Sequence, residues 1–177
     1  VYGEDPTINM LEEKISLLAG KEGAIFAPTG TQTNLIALLS HCQRGEEYIV
    51  GQQAHTYKYE GGGAAVLGSI QPQPVEYEND GTLDLEKVKK YIKPRDFHFA
   101  QTRLLSLENT HLGKVLPIDY LHNAKAFCVD NDLKLHLDGA RVFNAAVSLN
   151  IPISDITKHF DSVSICLSKG LGAPVGS

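Results

Sequence analysis

The segment LKLHLDGAR, residues 133–141, decides the fold because it reads as a strand that ends in a charged turn. Its three leucines alternate with polar residues, and this pattern predicts a strand with one face more apolar than the other. Asp138 and Gly139 follow the strand directly, and residues 141–149 predict a helix. A strand that passes through a short polar turn into a helix is the repeating unit of layered α/β proteins.

The same alternation extends outward from this segment in both directions. After a polar, turn-like run over residues 2–6, a first helix is predicted, with Asp5 as its N-cap and Gly20 as its end. Further strands are predicted at residues 24–27, 47–50, 103–107 and 162–167, and further helices at residues 34–39, 84–92 and 117–129. Strands that alternate with helices predict an α/β protein with three layers, α/β/α, around a mainly parallel sheet.

Composition excludes several classes of protein. The 177 residues are 42% hydrophobic and 21% charged, as in an ordinary globular domain, and the net charge is −5. A mildly acidic chain without a long basic run argues against general nucleic-acid binding and against electrostatic attachment to a membrane. The longest apolar stretches are as short as strands, so no membrane span is predicted.

The cysteines and the remaining motifs argue against a metal centre. Cys42, Cys128 and Cys166 are odd in number and widely spaced, which disfavours a disulfide framework or a zinc site and fits a reducing cytoplasm. No HExxH motif and no close Cys/His cluster occurs, so no metal is predicted. We expect all three cysteines to be small buried side chains.

Three predicted strands are followed directly by residues that can carry chemistry. The turn at residues 28–32 runs into a helix, where free N–H groups around Gly30 and Thr31 suit a phosphate. Asp138 leaves the strand at residues 133–137, and Lys169 leaves the strand at residues 162–167 beside two glycines. Ligands of parallel sheets bind beyond the carboxyl ends of the strands, so these groups are expected to meet.

Each of these features has an ordinary structural explanation when it is taken alone. The glycine turn is compatible with a simple helix start, Asp138 with a helix N-cap, and Lys169 with a surface lysine. Together they are the set that pyridoxal 5′-phosphate requires: a lysine for a Schiff base, an acid facing the pyridinium nitrogen, and a phosphate site. The combination predicts a pyridoxal-phosphate enzyme.

The sequence also resembles a known family over nearly its whole length. The low-specificity L-threonine aldolases, which are fold-type I pyridoxal-phosphate enzymes, have similar runs, namely VYGEDPT, FAPTGTQTNLIALLSHCQRGEEYIVG, AAVLGSIQPQP, LLSLENTHLGKVLP, HLDGARVFNA and ICLSKGLGAPVGS. Members of this family are about twice as long. The resemblance therefore implies that residues 1–177 are the cofactor-binding large domain, truncated at both ends and without the C-terminal small domain.

The resemblance assigns roles to individual cofactor-binding residues. Lys169 would form the Schiff base, Asp138 would pair with the pyridine nitrogen, and Arg141 would lie near the phenolic oxygen of the ring. Gly30 and Thr31 would hold the phosphate.

The resemblance also selects two of the seven histidines. His55 would stack on the ring and is a candidate base, and His111 would reach the substrate hydroxyl. By position alone, the other five histidines are expected on helices or on the surface: His41, His98, His122, His136 and His159.

The implied reaction is retro-aldol cleavage of L-threonine or L-allo-threonine to glycine and an aldehyde. The resemblance also implies a homotetramer built as a dimer of dimers. Other fold-type I enzymes, such as β-eliminating lyases or serine hydroxymethyltransferase-like proteins, share the Asp and Lys logic and stay open as alternatives, as does an inactive cofactor-binding fragment.

Rival folds with the same alternation lack their motifs. A nicotinamide-binding domain needs GxGxxG, a P-loop needs GxxxxGK[ST], and a serine hydrolase of the α/β type needs GxSxG. None of these motifs occurs in the chain.

Overall fold

The computed structural model describes residues 3–177, so the first two residues of the chain, and with them the start of the predicted turn at residues 2–6, lie outside it. The strands are β1 Glu47–Gly51, β2 Gln71–Val75, β3 Thr102–Glu108, β4 Lys134–Asp138 and β5 Ser162–Ser164. The helices are α1 Pro6–Ala19, α2 Gly30–His41, α3 His55–Lys58, α4 Gly63–Val66, α5 Leu85–Tyr91, α6 Ile118–Asp130, α7 Val142–Leu149 and α8 Ile153–Thr157.

All five strands form one parallel sheet in the order β2-β1-β3-β4-β5. One face of the sheet packs its leucines and isoleucines, such as Leu105 and Leu135, against a core that includes Leu121 and Cys128 of α6. On the other face, Tyr48 and Val50 pack against Leu38 of α2. The sheet therefore lies between two helical layers, and the predicted three-layer α/β/α architecture is confirmed.

The first helix is built as its sequence predicts. The Asp5 carboxylate accepts hydrogen bonds from the Thr7 and Ile8 N–H groups at 2.8 and 3.2 Å, which satisfies two amides that the helix itself leaves unpaired. At the other end Gly20 has φ 60°, the left-handed conformation that glycine adopts without a steric penalty.

One strand prediction was wrong, and another was too long. Residues 24–27 are not a strand: Ile25 is exposed, and Ala27 pairs instead with Ser177 through two backbone hydrogen bonds of 2.9 Å. β5 stops at Ser164 rather than Leu167, because Leu167 turns to bond the carbonyl of Gly176. Apolar content alone does not produce a strand where the neighbouring chain does not provide a ladder of partners.

The sequence did not predict β2, whose residues are QPQPV. Proline normally argues against a strand because it lacks an N–H donor. β2 is an edge strand that pairs with β1, and the Gln71 N–H donates to the Glu46 carbonyl just before β1. The backbone N–H groups of successive strand residues point to opposite sides. Because the Gln71 N–H points toward the β1 side, the nitrogens of Pro72 and Pro74 point away from β1, where no donor is needed.

None of the helices within residues 3–177 combines the length and the apolar character that crossing a bilayer requires.

Candidate active site

A row of polar side chains marks the carboxyl edge of the sheet on the face that α2 covers. The strand register places Glu108, Asp138 and Ser164 side by side at the ends of β3, β4 and β5. Two residues earlier on the same face, Ser106 and His136 are also aligned. Polar groups are thus concentrated at the strand ends, where parallel sheets bind ligands.

A cleft of about 350 Å³ opens above this row. Five of the seven predicted site residues line it: Gly30, Thr31, His55, Asp138 and Lys169. They come from α2, α3, the end of β4 and the turn that follows β5, and are as many as 139 residues apart in the chain. A larger cavity of about 820 Å³ lies between α1 and β5, and its lining includes none of the predicted site residues.

The N-terminus of α2 forms one wall of the cleft. Thr29 is the N-cap and accepts a hydrogen bond from the Gln32 N–H at 3.2 Å through its hydroxyl. The N–H groups of the first turn have no partner within the helix, and the helix dipole favours an anion beside them. Gly30 is closely packed, since a Cβ there would lie 2.6 Å from the Cys166 Sγ.

Asp138 lies at the floor of the cleft and is 3% exposed. One carboxylate oxygen accepts a hydrogen bond from the Ala140 N–H at 3.1 Å, as an Asp at a helix start often does. The other accepts a hydrogen bond from Asn34 Nδ2 of α2 at 2.9 Å. A residue that only capped a helix would not need this hydrogen bond from Asn34.

His55 begins α3 and is held by two carboxylates. Its Nδ1 lies 2.8 Å from Glu60 Oε1, and its backbone N–H donates to Glu108 Oε2 at 2.7 Å. Because a carboxylate only accepts, the hydrogen of a neutral His55 ring lies on Nδ1, which leaves Nε2 free to accept a proton. Burial raises the pKa of both Glu60 and Glu108, although His55 partly offsets this at each.

Lys169 lies in the turn after β5 and is half-buried at the cleft. The neighbouring Gly170 lies against α7, where a Cβ would clash with the Asn144 side chain.

The other two predicted site residues lie outside the lining of this cleft. Arg141 is the exposed N-cap residue of α7. His111 is buried and stacks on Tyr77, with ring centroids 3.7 Å apart, while its Nδ1 lies 3.2 Å from Glu108 Oε1. Glu108 thus contacts both His111 and the His55 N–H, and the contact of His111 with a substrate stays a prediction.

Two of the five histidines that were expected on helices or on the surface are buried instead. His136 is in the middle of β4 and fully buried, and His159 is in the turn after α8. The alternation of residues 133–137 predicted only that one face of β4 is more apolar than the other. In a sheet covered on both faces the middle of a strand is buried on both sides, so His136 is buried whereas Lys134 at the start of β4 is exposed.

Sequence reasoning missed Asn34, Glu60 and Glu108. Glu108 ends β3 just as Asp138 ends β4, so the rule that found the aspartate would also have found the glutamate. Asn34 and Glu60 carry no comparable signal, because only the packing of α2 and α3 brings them to the cleft. Polar side-chain atoms of His55, Glu60 and Asp138 lie within 4.8 Å of one another. Glu60 is hydrogen-bonded to His55 and to Asn34, and Asn34 is also bonded to Asp138.

The residues of the cleft fit pyridoxal phosphate. A buried acceptor-only carboxylate suits a protonated ring nitrogen, a helix N-terminus suits the phosphate, and a lysine amine suits an aldehyde. The three groups surround one cleft, which is the arrangement that a ligand with all three features requires.

Comparison with known proteins agrees with this chemistry. The family model described as beta-eliminating lyase matches residues 1–177. The low specificity L-threonine aldolase of Escherichia coli strain K12 is 64% identical over 177 residues, which is 100% of this chain and 53% of that relative. A probable low-specificity L-threonine aldolase 2 of Arabidopsis thaliana is 46% identical over 183 residues, 100% of this chain and 52% of the relative.

Solved structures show the same fold. A putative L-allo-threonine aldolase from Listeria monocytogenes matches with a TM-score of 0.82 at 26% identity, covering 99% of this chain and 48% of that one. The threonine aldolase of Leishmania major matches with a TM-score of 0.80 at 28% identity, over 92% of this chain and 48% of that one. The chain thus spans about half the length of the curated relatives and of the solved structures that it matches.

Proposed function

Because the chain belongs to the beta-eliminating lyase family, we propose that it is the cofactor-binding part of a pyridoxal-phosphate aldehyde-lyase. The proposed reaction cleaves L-threonine and L-allo-threonine to glycine and an aldehyde. The observation that carries the proposal is that Asp138, Lys169 and the N-terminus of α2 line one cleft at the carboxyl edge of the sheet. The relatives named as threonine aldolases support the choice of substrate.

Each wall of the cleft has a part in holding the cofactor. Lys169 would attach it covalently through Nζ, the first-turn amides at Gly30 and Thr31 would bind its phosphate, and Asp138 would face its ring nitrogen. When bound, pyridoxal phosphate supplies an electron sink for the pair left on Cα as the Cα–Cβ bond breaks. The charge of Asp138 would keep the ring nitrogen protonated, and so maintain that sink.

His55 is the proposed acceptor of the proton from the substrate hydroxyl. Glu60 holds the Nδ1 side of the ring, so Nε2 is the nitrogen available as a base. The Glu60 carboxylate also stabilises the positive charge that the ring acquires when it takes up a proton. His111 and Arg141 would contribute as the family resemblance implies, His111 at the hydroxyl and Arg141 near the ring oxygen.

The proposal extends to assembly and compartment. The substrate is a small amino acid, and the intact protein is expected to be a homotetramer. Cys42, Cys128 and Cys166 are free and buried, which is in keeping with a reducing cytoplasm.

Trapping of the cofactor on the intact protein tests the proposal. After addition of pyridoxal phosphate and borohydride, peptide mapping is expected to find the label on Lys169. Lys169→Ala should abolish covalent attachment, while the exposed Lys14→Ala on α1 serves as the matched control and should leave it unchanged. A label on another lysine would overturn the assignment.

The reaction itself is tested separately from the cofactor. The intact protein should release glycine and an aldehyde from both threonine diastereomers. Release of a keto acid and ammonia instead would favour a β-eliminating lyase.

A further inference from the structure

A chain of hydrogen bonds runs behind the cleft from α2 across β4 and β5. Asn34 is 2% exposed and contacts three side chains. Its Nδ2 donates to Asp138 Oδ2 at 2.9 Å and to Glu60 Oε1 at 2.8 Å, and its Oδ1 lies 3.3 Å from His136 Nε2. Both hydrogens of the amide and its oxygen are therefore engaged.

The chemistry of the partners determines the direction of every bond in this chain. The two carboxylates only accept, so the amide nitrogen of Asn34 must face them and its oxygen must face His136. That oxygen only accepts, so the hydrogen of the His136 ring lies on Nε2. His136 Nδ1 then accepts from the Ser162 hydroxyl at 2.8 Å, which leaves Ser162 Oγ to accept from His41 Nε2 at 2.7 Å.

All the donors in this chain thus point toward Asp138. His41 donates to Ser162, Ser162 to His136, His136 to Asn34, and Asn34 to the carboxylate. Aligned hydrogen bonds polarise one another, and in a buried site their dipoles stabilise the negative charge at the acceptor end. His136 is fully buried, and burial lowers its pKa to about 3, so the ring stays neutral and its tautomer is kept.

We propose that Asn34 is a positioning residue that fixes the Asp138 carboxylate toward the cofactor site and, through Glu60, fixes His55. The inference rests on the proposed function, because the value of a fixed Asp138 lies in its contact with the ring nitrogen. Asn34 itself does not touch the reacting atoms. Asn34 donates both to Asp138, which would maintain the electron sink, and to Glu60, which holds the proposed base His55.

The first test uses the wild-type protein and needs no cofactor. In the intact protein with 15N-labelled histidine, the side-chain spectrum of His136 should show a protonated Nε2 and an unprotonated Nδ1 at neutral pH. The signal is assigned by its loss in His136→Gln. A protonated Nδ1 would reverse the direction of the chain and overturn the proposal, whether or not the protein is an aldolase.

The second test measures how Asn34 affects the cofactor. Asn34→Ala should raise the dissociation constant of pyridoxal phosphate about tenfold or more, as expected when a hydrogen bond to a charged group is removed. It should also change the pH dependence of the visible absorption of the bound cofactor. The matched control is Ser40→Ala on the same helix, whose hydroxyl is exposed and bonds only the Ile36 carbonyl.

A second variant keeps the test valid if Asn34→Ala does not fold. Asn34→Asp retains the shape but replaces the donor with a third carboxylate, and it should weaken cofactor binding more at high pH than at low pH. If the wild-type protein binds the cofactor on Lys169 and both Asn34 variants match it in affinity and absorption, the positioning role is wrong while the proposed function stands. If wild-type protein does not bind the cofactor, the proposed function fails, and the position of the His136 hydrogen still decides the direction of the chain.

Discussion

Asp138 is the residue on which the proposed chemistry depends most, and its two oxygens have different partners. One accepts from the Ala140 N–H and the other from Asn34 Nδ2. In Asp138→Asn the new amide nitrogen must face one of these donors, so one hydrogen bond is lost. We expect most turnover to disappear, and the free energy of unfolding to fall by about 1–3 kcal/mol, the usual effect of an unsatisfied buried polar group.

Steady-state cleavage assays and denaturant unfolding of the same variant check this expectation. Turnover close to wild type would show that Asp138 is only a helix cap.

The two histidines assigned to the base are distinguishable by position. His55 lines the cleft, whereas His111 is stacked under Tyr77 and bonded to Glu108. General-base help is typically worth about 10²–10⁴-fold, so His55→Asn should slow cleavage within that range while the bound cofactor keeps its visible absorption. His111→Asn should slow cleavage less, because His111 lies outside the lining of the cleft. Rates measured for the two single variants and the double variant decide this, and three rates equal to wild type would exclude an imidazole base.

His136 makes stability depend on pH. The pKa of its ring is lowered by burial from 6.5 to about 3, so between these values the unfolded chain binds a proton that the folded protein does not. The contribution of His136 to the free energy of unfolding is fully present above pH 6.5. It is lost as the pH falls toward 3, by up to about 1.4 kcal/mol per pH unit. The measurement is the free energy of unfolding of wild type and His136→Gln across this range. The free energy of unfolding of the variant should depend less steeply on pH, by the amount that corresponds to one proton. Parallel curves for the two proteins would contradict the prediction.

At the scale of elements, α2 links the phosphate site to the buried polar chain, and its first turn tolerates little change. A Cβ at Gly30 would lie 2.6 Å from the Cys166 Sγ. Gly30→Ala should therefore lower the free energy of unfolding by about 1–3 kcal/mol, as overpacking does, and weaken cofactor binding by moving the first-turn amides. Thermal unfolding and cofactor titration give the two quantities.

Two variants separate overpacking from a general effect of replacing glycine. Gly23→Ala is the matched control, because nothing lies within 4 Å of a Cβ there. Gly30→Ala combined with Cys166→Ala removes the contacting sulfur and should recover part of the loss. If the double variant is as unstable as the sum of the two single variants, the contact is not the cause.

The elements that local sequence features specify could be predicted from the sequence. α1 carries its own capping residues, β1 and β3 contain apolar runs, and β4 has alternating leucines, so local propensity and pattern agreed with the fold. β2 and the segment at residues 24–27 did not follow, because a strand also needs a neighbour. The prolines of β2 are compatible with a strand only at a sheet edge, and the apolar residues 24–27 are not paired with another strand in the part of the chain that the structure describes.

At the scale of the whole molecule, assembly is an expectation that follows from the family resemblance. Large apolar side chains are strongly exposed at Val66, Leu67, Phe97 and Leu112, with Phe97 91% exposed. Single exposed apolar side chains are common on protein surfaces, so the expectation of assembly rests on the resemblance. We expect sedimentation velocity of the intact protein to show a homotetramer. A monomer that cleaves threonine at full rate would contradict this expectation.

The sequence by itself determined the layered α/β fold, and it predicted the cofactor class and the site residues at the end of β4 and after β5. These depend on order along the chain: alternation, caps, and polar residues that follow strands directly. The tertiary structure alone decided that Asn34 and Glu60 join the site, that His136 is buried and that His111 lies away from the cleft. The physical reason is that hydrogen-bond partners such as Asn34 and Asp138 are 104 residues apart, and only the packing of α2 on the sheet brings them within 2.9 Å.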